Sequence, residues 1–323
     1  MNLSRELSTR YALSELELCP LEDGNQRLFK ARFRRNGRHE LACLRVFFDW
    51  VDRKDVEAET NWLHLIATDT DLLVPYPIPA LDGTFIQDLD LGPESSVSVA
   101  VLQAWLPGNE LAENVTAERI GEVGRVLACL HNHSASNMDR DSVSSRRKGF
   151  EVWVEDWSFA RDVSADAESV LKTAAGKVSS MFDSISNEPD LCGFIHCDPH
   201  PWNILVDGDQ VAIIDFGDCG WGPYAYDIAA TLVYYKYPWV WVEEPHFDYD
   251  MLEEALLAGY ASERKVPVNF EQVLPICFAA RMLVLVQYIL DVFDDIDATA
   301  FTRRSITNSI DWLRQFCGHC AVI

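Results

Sequence analysis

A polar loop set between two short apolar runs constrains this chain more than any other feature. Phe194-Ile195 and Val211–Ile214 read as brief buried strands. Between and just after them stand His196, Asp198, Asn203 and Asp215, the last followed by Phe216-Gly217. Asp198 and Asn203 share one loop, so both side chains can face the same cleft. Asp215 follows an apolar strand, which fixes its carboxylate at a rigid strand end. Asp207-Gly208 suits the turn joining the two strands of this region.

The rest of the sequence changes character once. Before residue 104 it is β-rich. Phe29, Ala31 and Phe33 alternate with polar residues, and Leu41–Phe47 forms a second extended run across Asn36-Gly37, a hairpin signal because both turn residues tolerate positive φ. Residues 52–68 show helical spacing in Val56, Leu63 and Ile66, and Ser96–Trp105 forms a further strand with Val97, Val99, Val101 and Gln103 on one side. After Leu106-Pro107-Gly108 the pattern is mostly helical, with Ile120, Val123, Leu127 and Leu130 on one face, then a polar loop at Ser134–Lys148. The expected architecture is α+β: a small β-rich unit at 1–103, a hinge at 104–110, and a larger helical unit at 111–323, with the active site in the cleft between.

Phosphoryl transfer from ATP needs a carboxylate to orient the attacking hydroxyl and oxygen ligands to hold magnesium on the triphosphate. Asp198, Asn203 and Asp215 supply those groups. The set H-x-D-x-x-x-x-N followed by D-F-G resembles the catalytic and metal-binding loops of kinases. His-Pro before Trp-Asn, with Tyr226-Asp227-Ile228-Ala229 beyond, resembles the aminoglycoside phosphotransferase and choline kinase-like family. The resemblance implies a bilobal protein-kinase-like fold with ATP and Mg²⁺ as cofactors. It implies Asp198 as catalytic base, His196 as a brace of its loop, Asn203 and Asp215 as metal ligands, and Asp227 as a support of the loop backbone. Taken alone, Asp227 is equally suited to cap a helix starting at Ile228.

The same resemblance places a basic residue on the third strand and a helix glutamate beside it. Arg45 and Glu59 match, with Glu57 as the competing glutamate and with arginine where lysine is usual, and arginine and lysine are not equivalent on phosphate. Gly24 and Asn25 stand where a phosphate-covering loop belongs, without a full G-x-G-x-x-G. Gln103, Ala104 and Trp105 would border the adenine. The implied acceptor is a hydroxyl on a small molecule. Aromatic and acidic runs at Tyr234–Asp248 and Asp291–Asp297 suit an amino-bearing or cationic alcohol. A protein serine/threonine kinase and a nucleotide-binding pseudoenzyme are the alternatives. A missing A-P-E element weighs against the first and the intact Asp198, Asn203 and Asp215 against the second.

A formal net charge of −24 disfavours nucleic acid and anionic membrane partners. Nine cysteines without framework spacing, and a polar start without a signal-like apolar stretch, predict a reducing, cytoplasmic setting. Cys317-Gly318-His319-Cys320 lacks the βαβ context of a redox motif. The apolar stretch Val273–Phe293, interrupted by Arg281, Gln287 and Asp291, predicts a buried helix rather than a membrane span.

Overall fold

The computed structural model describes residues 3–23, 26–89, 97–137, 163–185, 188–241, 243, 245–266, 269–292 and 299–318. They form two compact units, one from Met1–Asn109 with Leu205–Gly217, the other from Glu110–Ile204 with Asp218–Ile323.

Unit one is built on five antiparallel strands, β1 (Ser14–Asp23), β2 (Gln26–Arg35), β3 (Arg38–Phe48), β4 (Ile86–Asp88) and β5 (Val97–Ala104), in the order β1-β2-β3-β5-β4. Arg35 pairs with Arg38 across a two-residue turn in which Asn36 and Gly37 have φ of +51° and +80°. Leu28, Arg45 and Val101 lie opposite one another across three strands, as do Lys30, Cys43 and Gln103, which puts all six on one face. The other face carries Phe33, Leu44, Val46 and Leu102, sealed by Leu7 and Tyr11 of helix α1 (Leu3–Tyr11). Helix α2 (Arg53–Asp69), capped by the Asp52 side chain on the Lys54 N–H, packs Val56 against Phe47, Val99 and Val101 on the Arg45 face. Helix α1 and strand β1 go beyond the sequence expectation. Pro20 is tolerated in β1 because that strand is an edge.

Strands β6 (Asn109–Glu110), β8 (Ile204–Asp207) and β9 (Gln210–Ile213) form a second sheet in the order β6-β8-β9, and residues 109 and 205–213 belong to unit one. Gly208 turns the β8–β9 connection at φ +60°. Leu73 and Ala212 form a parallel bridge, and Phe216 packs edge-on against Trp62 of α2 with both rings fully buried.

Unit two pairs β7 (Cys192–Ile195) with β10 (Gly220–Pro223) and surrounds them with helices α3 (Ala117–Asn137), α4 (Ala165–Ile185), α5 (Tyr224–Lys236), α6 (Tyr249–Glu263), α7 (Phe270–Val292) and α8 (Ala300–Gly318). Residues 134–137, expected as loop, continue α3. Their polarity misleads because Ser134 is buried and its Oγ accepts the Phe194 N–H at 2.8 Å. Helices α3 and α6 approach so closely that a Cβ at Gly259 would lie 1.8 Å from the Gly121 carbonyl oxygen. Helix α7 is long and apolar enough to cross a membrane, but 72% of its most apolar stretch is buried inside the protein, as expected of a core helix.

Candidate active site

In unit one the β3 alternation turns Arg45 toward α2, where Glu59 meets it. Both are buried, at 4% and 2% exposure, and the Arg45 Nη1 donates to Glu59 Oε1. Burial alone would lower the arginine's pKa, but the carboxylates of Glu59 and Asp215 outweigh it and push the guanidinium above its ordinary value. Asp215 is exposed, in the left-handed region at φ +58°, and its Oδ1 accepts the Gly217 N–H at 3.3 Å. A Cβ on Gly217 would meet Asp215 Oδ1 at 3.0 Å and Arg45 Nη2 at 3.4 Å. Arg45, Glu59 and Asp215 are therefore one cluster, and Gly217 is small because it sits inside it.

The expected adenine border lies at the end of β5. Gln103 is 3% exposed, and the Ala104 N–H already donates to the Tyr76 carbonyl at 2.9 Å. Lys30 Nζ stands 4.0 Å from the centroid of the Trp105 ring. Gly24 and Asn25 lie outside the described residues.

In unit two the loop after β7 is tied from several sides. His196 is fully buried; its Nδ1 accepts the Asp198 N–H at 3.1 Å, so its proton sits on Nε2. Asn203 Nδ2 donates to the Asp198 carbonyl at 3.0 Å and to Asp198 Oδ2 at 3.3 Å. His200 Nδ1 accepts the Trp202 and Asn203 N–H groups, each at 3.2 Å, which puts its proton on Nε2, 3.4 Å from Asp198 Oδ2. Thr231 Oγ1 anchors the Pro199 carbonyl at 2.9 Å.

Asp227, fully buried, accepts the His196 N–H at 2.9 Å and the Cys197 N–H at 2.8 Å. It does not cap a helix at Ile228: α5 already begins at Tyr224, with Pro223 at its N-cap. The two backbone bonds hold Cys197 at φ +69°, a left-handed conformation that costs a side-chain-bearing residue about 1–2 kcal/mol. His131 of α3 adds a third bond to Asp227, Nε2 to Oδ2 at 3.1 Å, while its Nδ1 meets the Tyr260 hydroxyl at 2.8 Å. Burial lowers the His131 pKa against the pull of Asp227, so the ring is neutral and donates from Nε2.

Two participants had only faint sequence signals. Arg281, 3% exposed in α7, donates from Nη2 to Asp198 Oδ1 and to the Tyr234 hydroxyl, the latter at 3.0 Å. Burial would raise the Asp198 pKa, but the Arg281 guanidinium outweighs it and holds the carboxyl below its ordinary value. A single arginine in a long apolar helix was the available clue, since arginine is almost never fully buried without a partner. The second participant is an aromatic group: Trp202 meets Tyr234 at 5.4 Å and Trp241 at 4.7 Å between centroids, and His200 meets Trp202 at 5.6 Å.

Two of the acidic residues have partners within the protein. Asp248 caps α6 by accepting the Met251 N–H, and Asp291 accepts from Gln287 Nε2 at 2.8 Å. Glu244 and residues 294–297 lie outside the described residues, as does Cys320. No disulfide joins Cys317 or any other described cysteine.

A model of the phosphotransferase enzyme family (APH) matches residues 25–266. No curated protein matches the sequence significantly. Among solved structures, the microcompartment-associated aminopropanol kinase is 24% identical, covers 98% of this chain and 94% of its own, and has a TM-score of 0.70. The amicoumacin kinase hAmiN, in complex with AMP-PNP and Ca²⁺, is 14% identical over 97% of this chain and 92% of its own, at TM-score 0.80. The choline kinase LicA from Streptococcus pneumoniae is 13% identical over 97% and 98%, at TM-score 0.60. The likenesses establish the fold class as protein-kinase-like, with a β-rich N-terminal part and a larger helical C-terminal part.

Proposed function

We propose that this chain, which belongs to the phosphotransferase enzyme family, transfers the terminal phosphoryl group of ATP to a hydroxyl of a small molecule, with Mg²⁺ as cofactor. The observation that carries the proposal is the state of Asp198. It is ionised, held at both oxygens, and fixed in a loop whose backbone is itself braced by Asp227. Such a carboxylate suits accepting a hydrogen bond from an alcohol and aligning its oxygen for attack. Its lowered pKa makes it a weak proton acceptor. That is adequate for a loose phosphoryl transition state, where alignment contributes most.

Arg45, oriented by Glu59, is assigned to the nucleotide phosphates, with a planar fork in place of lysine's point charge. Asn203 and Asp215 are assigned to the metal. The donor chemistry fits: Asn203 spends Nδ2 on Asp198, which leaves Oδ1, a hard oxygen ligand, as the unused end of the amide among the described residues. No three His, Cys, Asp or Glu side chains cluster as a metal site among the described residues. That suits a cation held largely by substrate phosphates. When bound, Mg²⁺ supplies neutralisation of phosphate charge.

For the acceptor, an amino-bearing alcohol is the favoured class. The half-buried rings of Trp202 and Trp241, 4.7 Å apart beside the Asp198 loop, suit a cationic group. The structural neighbours named for aminopropanol and choline point the same way. A reducing, cytoplasmic setting suits cysteines that, among the described residues, form no disulfide.

Two measurements test the proposal. Mg·ATP should raise the melting temperature, by the equivalent of about 2.7 kcal/mol at a hundredfold excess over Kd. A panel of aminopropanol, ethanolamine, choline, sugars and a serine peptide should then show ATP-dependent phosphate incorporation into a small alcohol. Absence of both nucleotide stabilisation and transfer contradicts the reading, and transfer to the peptide alone replaces it with a protein kinase.

A further inference from the structure

We propose that Arg281 is a positioning residue for phosphoryl transfer: its guanidinium clamps Asp198 through Oδ1 and thereby sets the direction in which the carboxylate meets the acceptor hydroxyl. The inference rests on the reading of Asp198 as the acceptor-aligning group.

The placement of Arg281 is costly and has no packing rationale of its own. Its neighbours along α7, Phe278, Ala280, Met282, Leu283 and Val284, are all buried apolar residues. A guanidinium in such a setting must be paired, and replacing a buried ion pair by apolar residues is often neutral or stabilising. A purely structural pair could also lie anywhere in the core. This one ends on a carboxylate at the surface of the catalytic loop: the Arg281 side chain is 4% exposed and the Asp198 side chain 18%.

The geometry defines what the clamp does. Nη2 carries two hydrogens, and its two partners are Asp198 Oδ1 and the Tyr234 hydroxyl. The Tyr234 ring lies 5.7 Å from the centre of the guanidinium. The fork is thus fixed on Tyr234 of α5 before it reaches the carboxylate. On the other side, Asp198 Oδ2 accepts a long bond from Asn203 Nδ2 at 3.3 Å and has His200 Nε2 at 3.4 Å. One oxygen is held by a charge-assisted bond and the other by a weak one, so the carboxylate has a fixed pivot and one oxygen able to take up an incoming hydroxyl. A carboxylate torsion is otherwise broad and roughly two-fold. Arg281 itself is too buried to touch the acceptor, so its effect passes through Asp198 and falls on turnover rather than on acceptor affinity.

The test uses five full-length proteins, the parent, Arg281→Met, Arg281→Lys, Asp198→Asn and the double variant of Arg281→Met with Asp198→Asn, with Mg·ATP and aminopropanol as probes. Arg281→Met is expected to lower kcat about 10²-fold, the scale of a small misplacement of a reacting group, with the KM for aminopropanol unchanged. Added guanidinium ion should restore part of that loss. In the Asp198→Asn background the same substitution should cost no further turnover, because no carboxylate remains to be aimed. Arg281→Lys, which keeps the charge and the fold if Arg281→Met does not, should retain intermediate turnover, since an ammonium cannot reproduce the planar fork. Losses that multiply in the double variant, or an unchanged kcat in Arg281→Met, overturn the positioning role while leaving the phosphotransfer reading intact. Melting temperatures report the pair apart from turnover. A parent that transfers no phosphate to any alcohol, yet shows Arg281 and Asp198 coupled in stability, overturns the phosphotransfer reading and this assignment with it.

Discussion

Each unit of this protein buries one arginine against one carboxylate, but the active member of the pair is opposite in the two. In unit one Arg45 is the group assigned to substrate and Glu59 is its fixture, both almost fully enclosed. In unit two the carboxylate Asp198 is assigned to substrate and Arg281 is the fixture. The pairs also differ in what surrounds them. Arg45 has a second carboxylate, Asp215, near its Nη2. Asp198 has two further imidazoles and an amide, and its loop is held from beneath by Asp227 and His131. A buried ion pair is weak evidence of stabilisation. Here each pair is better understood as a means of fixing one charged group in one orientation.

The largest expected effect comes from removing the support peculiar to unit two. Asp227→Ala orphans the His196 and Cys197 N–H groups and the His131 ring at once, each worth about 1–3 kcal/mol when buried without a partner. Unfolding by urea should show the greatest stability loss of any single change considered, together with loss of turnover. A variant as stable as the parent would mean that the loop holds itself.

Arg45→Met is expected next. It leaves Glu59 buried and unpaired, a loss of about 3–5 kcal/mol, and should raise the KM for ATP. Arg45→Lys should restore much of both. If Arg45→Met instead altered only acceptor kinetics, the assignment of the two arginines to different substrates would fail.

The smallest effect is a pH dependence carried by His131. Burial depresses its folded-state pKa below the ordinary 6.5. As pH falls through that value the unfolded chain takes up the proton first, so the contribution to stability is present above about 6.5 and declines as pH falls. Melting temperatures between neutral and mildly acidic pH should fall less steeply in His131→Gln than in the parent. A parallel dependence would assign the acid sensitivity to another group.

The difference between the pairs also explains what the sequence made legible. Arg45 and Glu59 are reachable only through the family resemblance, which places a basic residue on the third strand and a glutamate on the following helix and leaves Glu57 as a competitor until burial beside Arg45 singles out Glu59. Asp198, Asn203 and Asp215 are marked by their spacing around two short strands. Arg281 carries no such mark: it lies far along the chain, and its partner is chosen by tertiary packing that no local pattern encodes. His131 is similar, since a histidine at the end of an amphipathic helix does not announce that its partner is Asp227. Ser134 shows the converse, a polar residue that reads as loop until its buried partner, the Phe194 N–H, is known.

The most direct test of the central claim is the transfer of labelled terminal phosphate from Mg·ATP to aminopropanol by Asp198→Asn beside the parent. The account predicts that the variant keeps the parent's thermal stabilisation by Mg·ATP and loses transfer by about 10²–10⁴-fold. Transfer at the parent's rate would contradict it.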